Sequence, residues 1–312
     1  MNTRSLRVFA EVARTGSFST AARNLGLTQP AVSFHIRSLE KEYGCVLVDR
    51  SLGRCRLTEP GQALLRHAQR ILKVEEELSR EMEGRRGEPS GTLLLAASNI
   101  PGEYILPRVL SRYRLRYPLV EPRLEVTDTR GVLDLVRAGE VDLGCVGSRD
   151  DEERLEYGRL CPDRLVFIAP GNHPLATRKR VKVDDLSGET LILREEGSGT
   201  RSHMLRILSE LGLEISHLDC LVLGSTMAVI QAVAAGAGIS VSSLWAVEPY
   251  ARLGKVRVLA LSGADLRRDF HYVILRRRPS TPAVEALVQV IEEMRPELED
   301  ELASFVGPPD RG

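Results

Sequence analysis

Apolar positions in the first forty residues recur at helical spacing. Leu6, Phe9, Val12 and Ala13 line one face of residues 3–14, which predicts an amphipathic helix. Thr15-Gly16-Ser17 interrupts it. Ser19 offers a cap for a second helix through Leu25, with Ala21, Ala22 and Leu25 as its apolar face, and Gly26-Leu27 makes a tight turn. Thr28 then presents an N-cap oxygen to a third helix. Pro30 falls in the first turn of that helix, where amides have no intrahelical partner. Val32, Ile36 and Leu39 point inward, while Gln29, Ser33 and Arg37 share the other side with Pro30, Ala31 and Phe34 beside them. A short helix, a tight glycine turn and a capped helix make the helix-turn-helix spacing.

Two short strands follow, Val46–Arg50 and Arg54–Thr58, around a Leu52-Gly53 turn. Thr58 or Glu59 starts a longer helix, with Pro60 in its first turn. Along it Leu64, Ala68, Ile71, Glu75, Leu78 and Met82 follow the 4-3 spacing of a coiled-coil seam. A helix so polar elsewhere is expected to bury that seam against a second copy, with packing on its own C-terminal domain as the alternative. The segment Gly84–Gly91 reads as a flexible hinge.

From residue 92 the pattern becomes alternating strand and helix, which predicts parallel βαβ units. Strands are expected at 92–97, 123–127, 142–146, 165–169, 190–193, 218–223, 239–242, 256–261 and 270–276. Helices are expected at 101–117, 130–138, from about 200 to 211, at 225–235 and at 281–294. Three strand-to-helix turns carry small hydroxyl or glycine residues: Ser98-Asn99, Gly197–Thr200 and Gly224-Ser225-Thr226. Each is an ordinary N-cap taken alone. Together, at the carboxyl ends of strands, they suit a ligand cleft with a preference for an anion, to which Arg201 adds charge.

Composition sharpens this picture. The 312 residues fit about two domains. They are 43% apolar with only 4% aromatics, so aliphatic side chains must fill the cores. Net charge is zero, but residues 1–60 hold nine Lys/Arg against five Asp/Glu, leaving the remainder slightly acidic. A basic N-terminal segment fits contact with a polyanion, although a bias of this size also arises in ordinary surfaces. In the third helix, Gln pairs with adenine, Ser with bases or phosphates and Arg with guanine or phosphate, so that face suits a major groove as well as plain solvent. Arg50, Arg54 and Arg56 on the hairpin suit phosphates, or merely a soluble sheet edge. Five scattered cysteines, Cys45, Cys55, Cys145, Cys161 and Cys220, form no CxxC pair, which argues against a disulfide framework or zinc site and for a reducing compartment. With no apolar signal core and no run of about 18 apolar residues, the chain is expected in the cytoplasm and off the membrane.

The stretch SFSTAARNLGLTQPAVSFHIRSLEKEYGCVLVDR, with LTEPGQALL after it, closely resembles the winged helix-turn-helix of LysR-type transcriptional regulators. Phe34 and His35 depart from that family, which usually carries polar, Arg- and Gln-like residues there. The segments ASNIPGEYILP, VDLGCVG, APGNHPLA, LILREEGSGTR and GSTMAVIQAVAAGAGISV resemble the same family's effector-binding domain, which is similar to type 2 periplasmic binding proteins. The resemblance implies a multidomain fold. Its parts are a mainly α winged helix-turn-helix (1–58), a linker and dimerisation helix (59–87), and a C-terminal α/β domain of two lobes (91–300; lobe I 91–161 and 268–300, lobe II 162–267). It implies DNA contacts at Thr28, Gln29, Pro30, Ala31, Ser33, Phe34, Arg37, Arg50, Arg54 and Arg56. It implies effector contacts at Ser98, Asn99, Ile100, Gly147, Ser198, Gly199, Thr200, Arg201, Ser225 and Thr226. The implied partners are double-stranded DNA with two-fold-related half-sites, a small-molecule effector with small anions as the candidate class, a second copy or four copies of the chain, and RNA polymerase as a further candidate. No metal or cofactor is expected.

Two other classes fit less well. An enzyme lacks support because HExxH, GxSxG, GxxxxGK[ST] and a strand-borne GxGxxG are all missing, and the six histidines are isolated. A solute-binding transport protein explains the lobes but needs an export signal. Both leave residues 1–60 unexplained.

Overall fold

The computed structural model describes residues 2–49, 55–83, 88–213, 215, 218–263, 266–276 and 280–305. The chain forms two compact units, Met1–Gly87 and Glu88–Gly312.

In the first unit, α1 (Thr3–Thr15), α2 (Phe18–Asn24) and α3 (Gln29–Tyr43) form a bundle. Its core is built by Leu6, Phe9, Val12, Ala21, Val32, Ile36 and Leu39, all buried. The cap of α2 is Ser17, whose hydroxyl accepts from the Thr20 amide at 3.3 Å, and not Ser19. The extended backbone of Ser17 already sets up the first turn, so the cap lies two residues before the predicted one. Thr28 caps α3, accepting from the Ala31 amide at 3.4 Å. β1 (Val48–Asp49) and β2 (Arg56–Leu57) pair antiparallel, Val48 opposite Leu57 and Asp49 opposite Arg56. They are shorter than the five-residue strands expected. The predicted Leu52-Gly53 turn, together with Arg50 and Arg54, lies outside the described residues, as does 84–87 of the predicted hinge.

Glu40 joins α3 to this ribbon by accepting from the amides of Leu47 at 3.0 Å and Val48 at 3.4 Å. The Thr58 hydroxyl donates to the Val46 carbonyl at 2.7 Å and accepts from the Gly61 amide at 3.1 Å, so it closes the ribbon and caps α4 (Glu59–Glu83). The apolar seam of α4 serves its own head first. Ala68 is buried, and Leu64 and Ile71 pack on the bundle core. Glu75 accepts from Arg7 at 3.0 Å. This corrects a seam read as facing a second copy or the C-terminal domain: the N-terminal head takes its first half, because three short helices have too little apolar surface to close a core by themselves. Leu78 stays exposed, as does Val74, and the Met82 side chain lies outside those described.

A methyl group added at Gly61 meets the Leu47 carbonyl oxygen at 2.1 Å, a contact with backbone that cannot rotate away. Gly61→Ala should therefore destabilise the head by about 1–3 kcal/mol, the range for overpacking. It should do so despite alanine's better helix propensity. Chemical denaturation followed by helical ellipticity checks this; an unchanged or raised midpoint contradicts it.

The second unit is α/β. β3 (Gly91–Ser98), β4 (Val120–Thr127) and β5 (Leu143–Val146) are mutually parallel around β3, as predicted from their βαβ spacing. The unit as a whole is mixed, however. β11 (Arg267–Leu275) runs antiparallel to both β5 and β6 (Leu155–Pro170), and β6 runs antiparallel to β9 (Ile239–Ser243) and β10 (Val256–Leu259). β7 (Leu191–Arg194) is parallel to β8 (Cys220–Leu223) and to β9. The order is β4-β3-β5-β11-β6-β9-β7-β8, with β10 on β6. The two lobes meet along β6: its first half pairs with β11, its last residues with β9 and β10.

Of β6, only the apolar run 165–169 is legible by pattern. The first half is interrupted by Gly158 and Pro162 and pairs through cross-strand fit instead: a methyl at Gly158 would lie 2.0 Å from the Tyr272 ring. α6 (Thr129–Ala138) matches its expectation. α5 (Leu106–Arg116) is preceded by one π-helical turn at Pro101–Ile105. α7 (Gly199–Glu210) and α8 (Thr226–Ala234) follow the two remaining hydroxyl-bearing turns. α9 (Leu244–Arg252) escaped the pattern because its first four residues are all buried and Pro249 lies within it. α10 (Pro282–Phe305) runs beyond Met294 through Pro296. Its last turns are held by Phe305 edge-on to Trp245 at 5.5 Å and by glutamates 293, 297 and 301, which take Arg116, Arg112 and Arg108 of α5. Those ion pairs are exposed and worth little each. The buried contacts, including the Tyr113 hydroxyl on the Ala283 carbonyl at 2.9 Å, carry the packing.

Candidate functional site

On the first unit, the outward side of α3 is the candidate surface. Gln29, Pro30, Phe34 and Arg37 are exposed, while Ala31 and Ser33 are half-buried; Thr28, at the helix start, is exposed too. The opposite side is anchored by Val32, Ile36 and Leu39, so these residues share one face for purely geometric reasons. Gln29 is held lightly by the Ser19 hydroxyl at 3.5 Å. Arg56 is exposed on β2. His35 turns away from this face: its Nδ1 meets the Ser5 hydroxyl at 3.0 Å and ties α3 to α1.

On the second unit, a narrow cleft with about 20 Å3 of free room lies between the lobes. Seven of the ten predicted effector residues line it: Ser98, Asn99, Ile100, Gly147, Ser198, Gly199 and Thr200. Three do not. Arg201 reaches back to the Arg194 carbonyl at 3.0 Å, Ser225 caps α8, and Thr226 accepts from Arg194. The structure adds Asp128, Thr129, Arg194, Arg268 and Phe270 to the lining. Pattern reading passed over the two arginines because each sits within a strand (the last residue of β7, the second of β11) and not at a hydroxyl-bearing turn.

The two arginines differ in their bonding. Arg194 is saturated: Glu195 takes its Nε at 2.7 Å, Asn99 of the facing lobe takes Nη2 at 2.6 Å, and Thr226 takes Nη1. Burial works to raise the Glu195 carboxyl, but the Arg194 hydrogen bond, a backbone hydrogen bond and the charges of Arg194 and Arg201 together outweigh it, and the group lies below its ordinary value. Arg268 is buried with Asp163, Nε to Oδ2 at 2.7 Å, and donates Nη2 to the Thr200 hydroxyl at 3.2 Å. Its Nη1 is buried with no hydrogen-bond partner among the described residues. That nitrogen lies 3.3 Å from where a methyl at Gly147 would sit, and a methyl at Gly199 would press on Thr129 Oγ1 at 2.9 Å. Gly147 keeps the space beside the guanidinium open, and Gly199 the space beside Thr129. Ser198 caps α7 from the same wall, so the positive end of that helix faces the cleft as well. The result is a fixed cation ringed by hydroxyls, with the Asp128 carboxylate at the edge. Among the described residues no cluster suits a metal ion.

Two histidines, His271 buried and His203 half-buried, flank this region. His203 is pushed down to about 4 by burial and by the charges of Arg268 and Arg206; His271 is pushed to about 4 by burial and by Arg149, whose Nη2 lies 2.7 Å from Nε2. The folded protein holds both neutral, while the unfolded chain takes up their protons from about pH 6.5 downward. Their contribution to stability is thus complete above pH 6.5 and is lost as the pH falls toward 4. Thermal denaturation of the full chain between pH 7.5 and 4.5 should show a falling midpoint, and His203→Gln with His271→Gln should flatten the slope. An equal slope in the double variant refutes the assignment.

Comparison with known proteins gives two family matches. Residues 3–62 match the family described as "Bacterial regulatory helix-turn-helix protein, lysR family", and residues 86–295 match "LysR substrate binding domain". Among curated relatives, the chain is 35% identical over 278 residues to an uncharacterised HTH-type transcriptional regulator of Methanocaldococcus jannaschii, covering 89% of this chain and 93% of that one. It is 34% identical to the RuBisCO operon transcriptional regulator of Allochromatium vinosum, covering 92% and 94%. Among solved structures, full-length CbnR complexed with its target DNA superposes with a TM-score of 0.70 at 20% identity, covering 94% and 99%. The Synechocystis PCC6803 CcmR regulatory domain in complex with 2-PG superposes at 0.61 with 27% identity, covering 67% and 100%.

Proposed function

The chain belongs to the LysR family of transcriptional regulators, and from that premise we propose that α3 reads duplex DNA and that a small anion held by Arg268 is the effector. The matched relatives are named as regulators and not as enzymes.

The DNA reading assigns sequence discrimination to Gln29, Ser33, Phe34 and Arg37, with Thr28, Pro30 and Ala31 beside them, and phosphate contact to Arg50, Arg54 and Arg56. It divides the chain into a head (1–58), a linker helix (59–87) and an effector domain (91–300) whose lobes change hands near residues 161 and 268. A second copy, docked through the remaining exposed part of α4, presents two heads to two-fold-related half-sites. RNA polymerase is the further partner, and the cytoplasm the compartment; no helix among the described residues is long and apolar enough to cross a membrane.

The effector reading rests on one observation: the buried Nη1 of Arg268, which no described residue satisfies. A buried donor on a charged group costs the folded state unless something accepts from it. A carboxylate or phosphate oxygen in the cleft does so, with Ser98, Thr129, Ser198 and Thr200 within the same lining. The relative solved with 2-PG supports a small-molecule occupant.

Two experiments test these assignments. Duplexes are first selected from a random pool with the full chain. Gln29→Ala or Arg37→Ala should then cut discrimination against a mismatched base pair by about 1–3 kcal/mol. Arg56→Ala should weaken all duplexes alike and lower the salt slope by about 1. A shifted site preference for Arg56→Ala, or none for Arg37→Ala, reverses the roles. For the effector, small carboxylate, phosphate and sulfate anions are screened by thermal shift. Arg268→Lys keeps a cation for Asp163 but loses the fork, and should weaken the responding anion by about ten- to a hundredfold. Ser98→Ala should weaken it less. Undiminished anion response in both variants rejects the cleft as the effector site.

A further inference from the structure

We propose that Phe34 is a specificity-determining residue that reads a thymine through its C5-methyl group; the inference rests on the reading of α3 as the DNA-contacting helix. Phe34 is the most exposed aromatic ring among the described residues, at 65%, on a helix whose other apolar side chains of comparable size are buried or at its far end. It lies one turn from Pro30 and one from Arg37, between Ser33 and Ser38, so the phenyl continues an exposed apolar strip within a polar face.

The ring is also braced. The imidazole of His35 stands edge-on to it at 6.1 Å, and that imidazole is itself held by Ser5, a residue only 7% exposed. A phenyl ring has no donor or acceptor and so takes no part in the hydrogen-bond code of the base edges. In a major groove the one apolar feature it can match is the thymine methyl, which cytosine, adenine and guanine lack. An ordered ring loses little conformational freedom on docking, which favours a defined contact over loose shielding. A Phe at this position therefore selects half-sites with a thymine beneath the first two turns of α3, where an arginine would select guanine.

The test uses the full chain and the duplex it selects from a random pool. Each thymine of one half-site is replaced in turn by deoxyuridine, which keeps base pairing and removes only the methyl. For the unaltered protein, one replacement should weaken binding about fourfold, the size of one buried methyl group. Phe34→Ala should bind the thymine and deoxyuridine duplexes equally, and Phe34→Leu should keep part of the difference. Because the ring is exposed, both variants should melt with the unaltered protein. If the chain binds its selected duplex but every deoxyuridine replacement affects Phe34→Ala as much as the unaltered protein, Phe34 does not read thymine while the DNA reading of α3 stands. Thymine reading is equally overturned if Phe34→Ala leaves binding intact and lowers only transcription from the bound site, which marks a protein contact. If no duplex is selected at all, both readings fall together.

Discussion

The buried ion pair between Arg268 and Asp163 is the constraint around which the second unit is arranged. Neither side chain reaches solvent to any useful extent, at 4% and 0%. Removing two charges from water costs several kcal/mol per ion, so such a pair persists only where further hydrogen bonds complete both partners. Asp163 has them: its second oxygen accepts from the Ser243 hydroxyl at 2.5 Å. Ser243 ends β9 and caps α9, so the carboxylate ties β6, β9 and α9 to one point. Arg268 extends the tie to α7 through Thr200 and stacks its guanidinium 5.1 Å over the Phe270 ring. β6, β9, α9 and α7, together with β11 itself, thus depend on one arginine that still has a donor to give.

The head obeys a different constraint, namely scarcity. Three short helices enclose few apolar side chains, and small domains of this size are marginal for that reason. Every available contact is recruited: α4 gives up Leu64, Ala68 and Ile71, the ribbon contributes Leu47 and Val48, and Glu40 and Thr58 use side-chain oxygens to close backbone groups. Gly61 is small because the ribbon must come that close. What this economy leaves outside is the polar face of α3 and the phenyl of Phe34.

How far the sequence announces this structure depends on which force acts locally. Helices with one apolar face, such as α1, α3 and α6, are readable because burial imposes a 3.6-residue period. The helix-turn-helix adds caps and a glycine turn, which are local and chemically specific. β6 and α9 resist reading because they are buried on more than one side, so no period survives. Pro162 looks like a break, yet it sits in β6 with its carbonyl accepting the Trp245 indole at 3.2 Å. The cleft shows the same division. Ser98, Ser198 and Thr200 are visible as caps and turns. Arg268 lies 70 residues from Ser198 and gains its role only when β11 aligns with β6, Arg268 opposite Asp163. Arg201 was the arginine beside the turn, but its guanidinium is spent on a backbone carbonyl. Proximity in sequence identified the wall of the cleft and missed the charge within it.

A ligand that accepts from Arg268 gains more if both walls reach it. Ser98 and Thr129 belong to one lobe, Ser198 and Thr200 to the other, and Arg268 to the strand between. Separating the lobes removes partners from the ligand, so its affinity for the closed arrangement exceeds that for any open one. Moving a two-state equilibrium from 1:99 to 99:1 requires about 5.5 kcal/mol of differential binding. Hydrogen bonds to a charged group contribute about 1.5–3 kcal/mol each. About two to four bonds lost on opening therefore suffice, a number within reach of a single oxyanion of carboxylate or phosphate size. The Asn99–Arg194 bond already spans the lobes without a ligand, at 2.6 Å. That contact lowers the demand on any such ligand: the closed arrangement is favoured before it binds, and the ligand need only add the remainder.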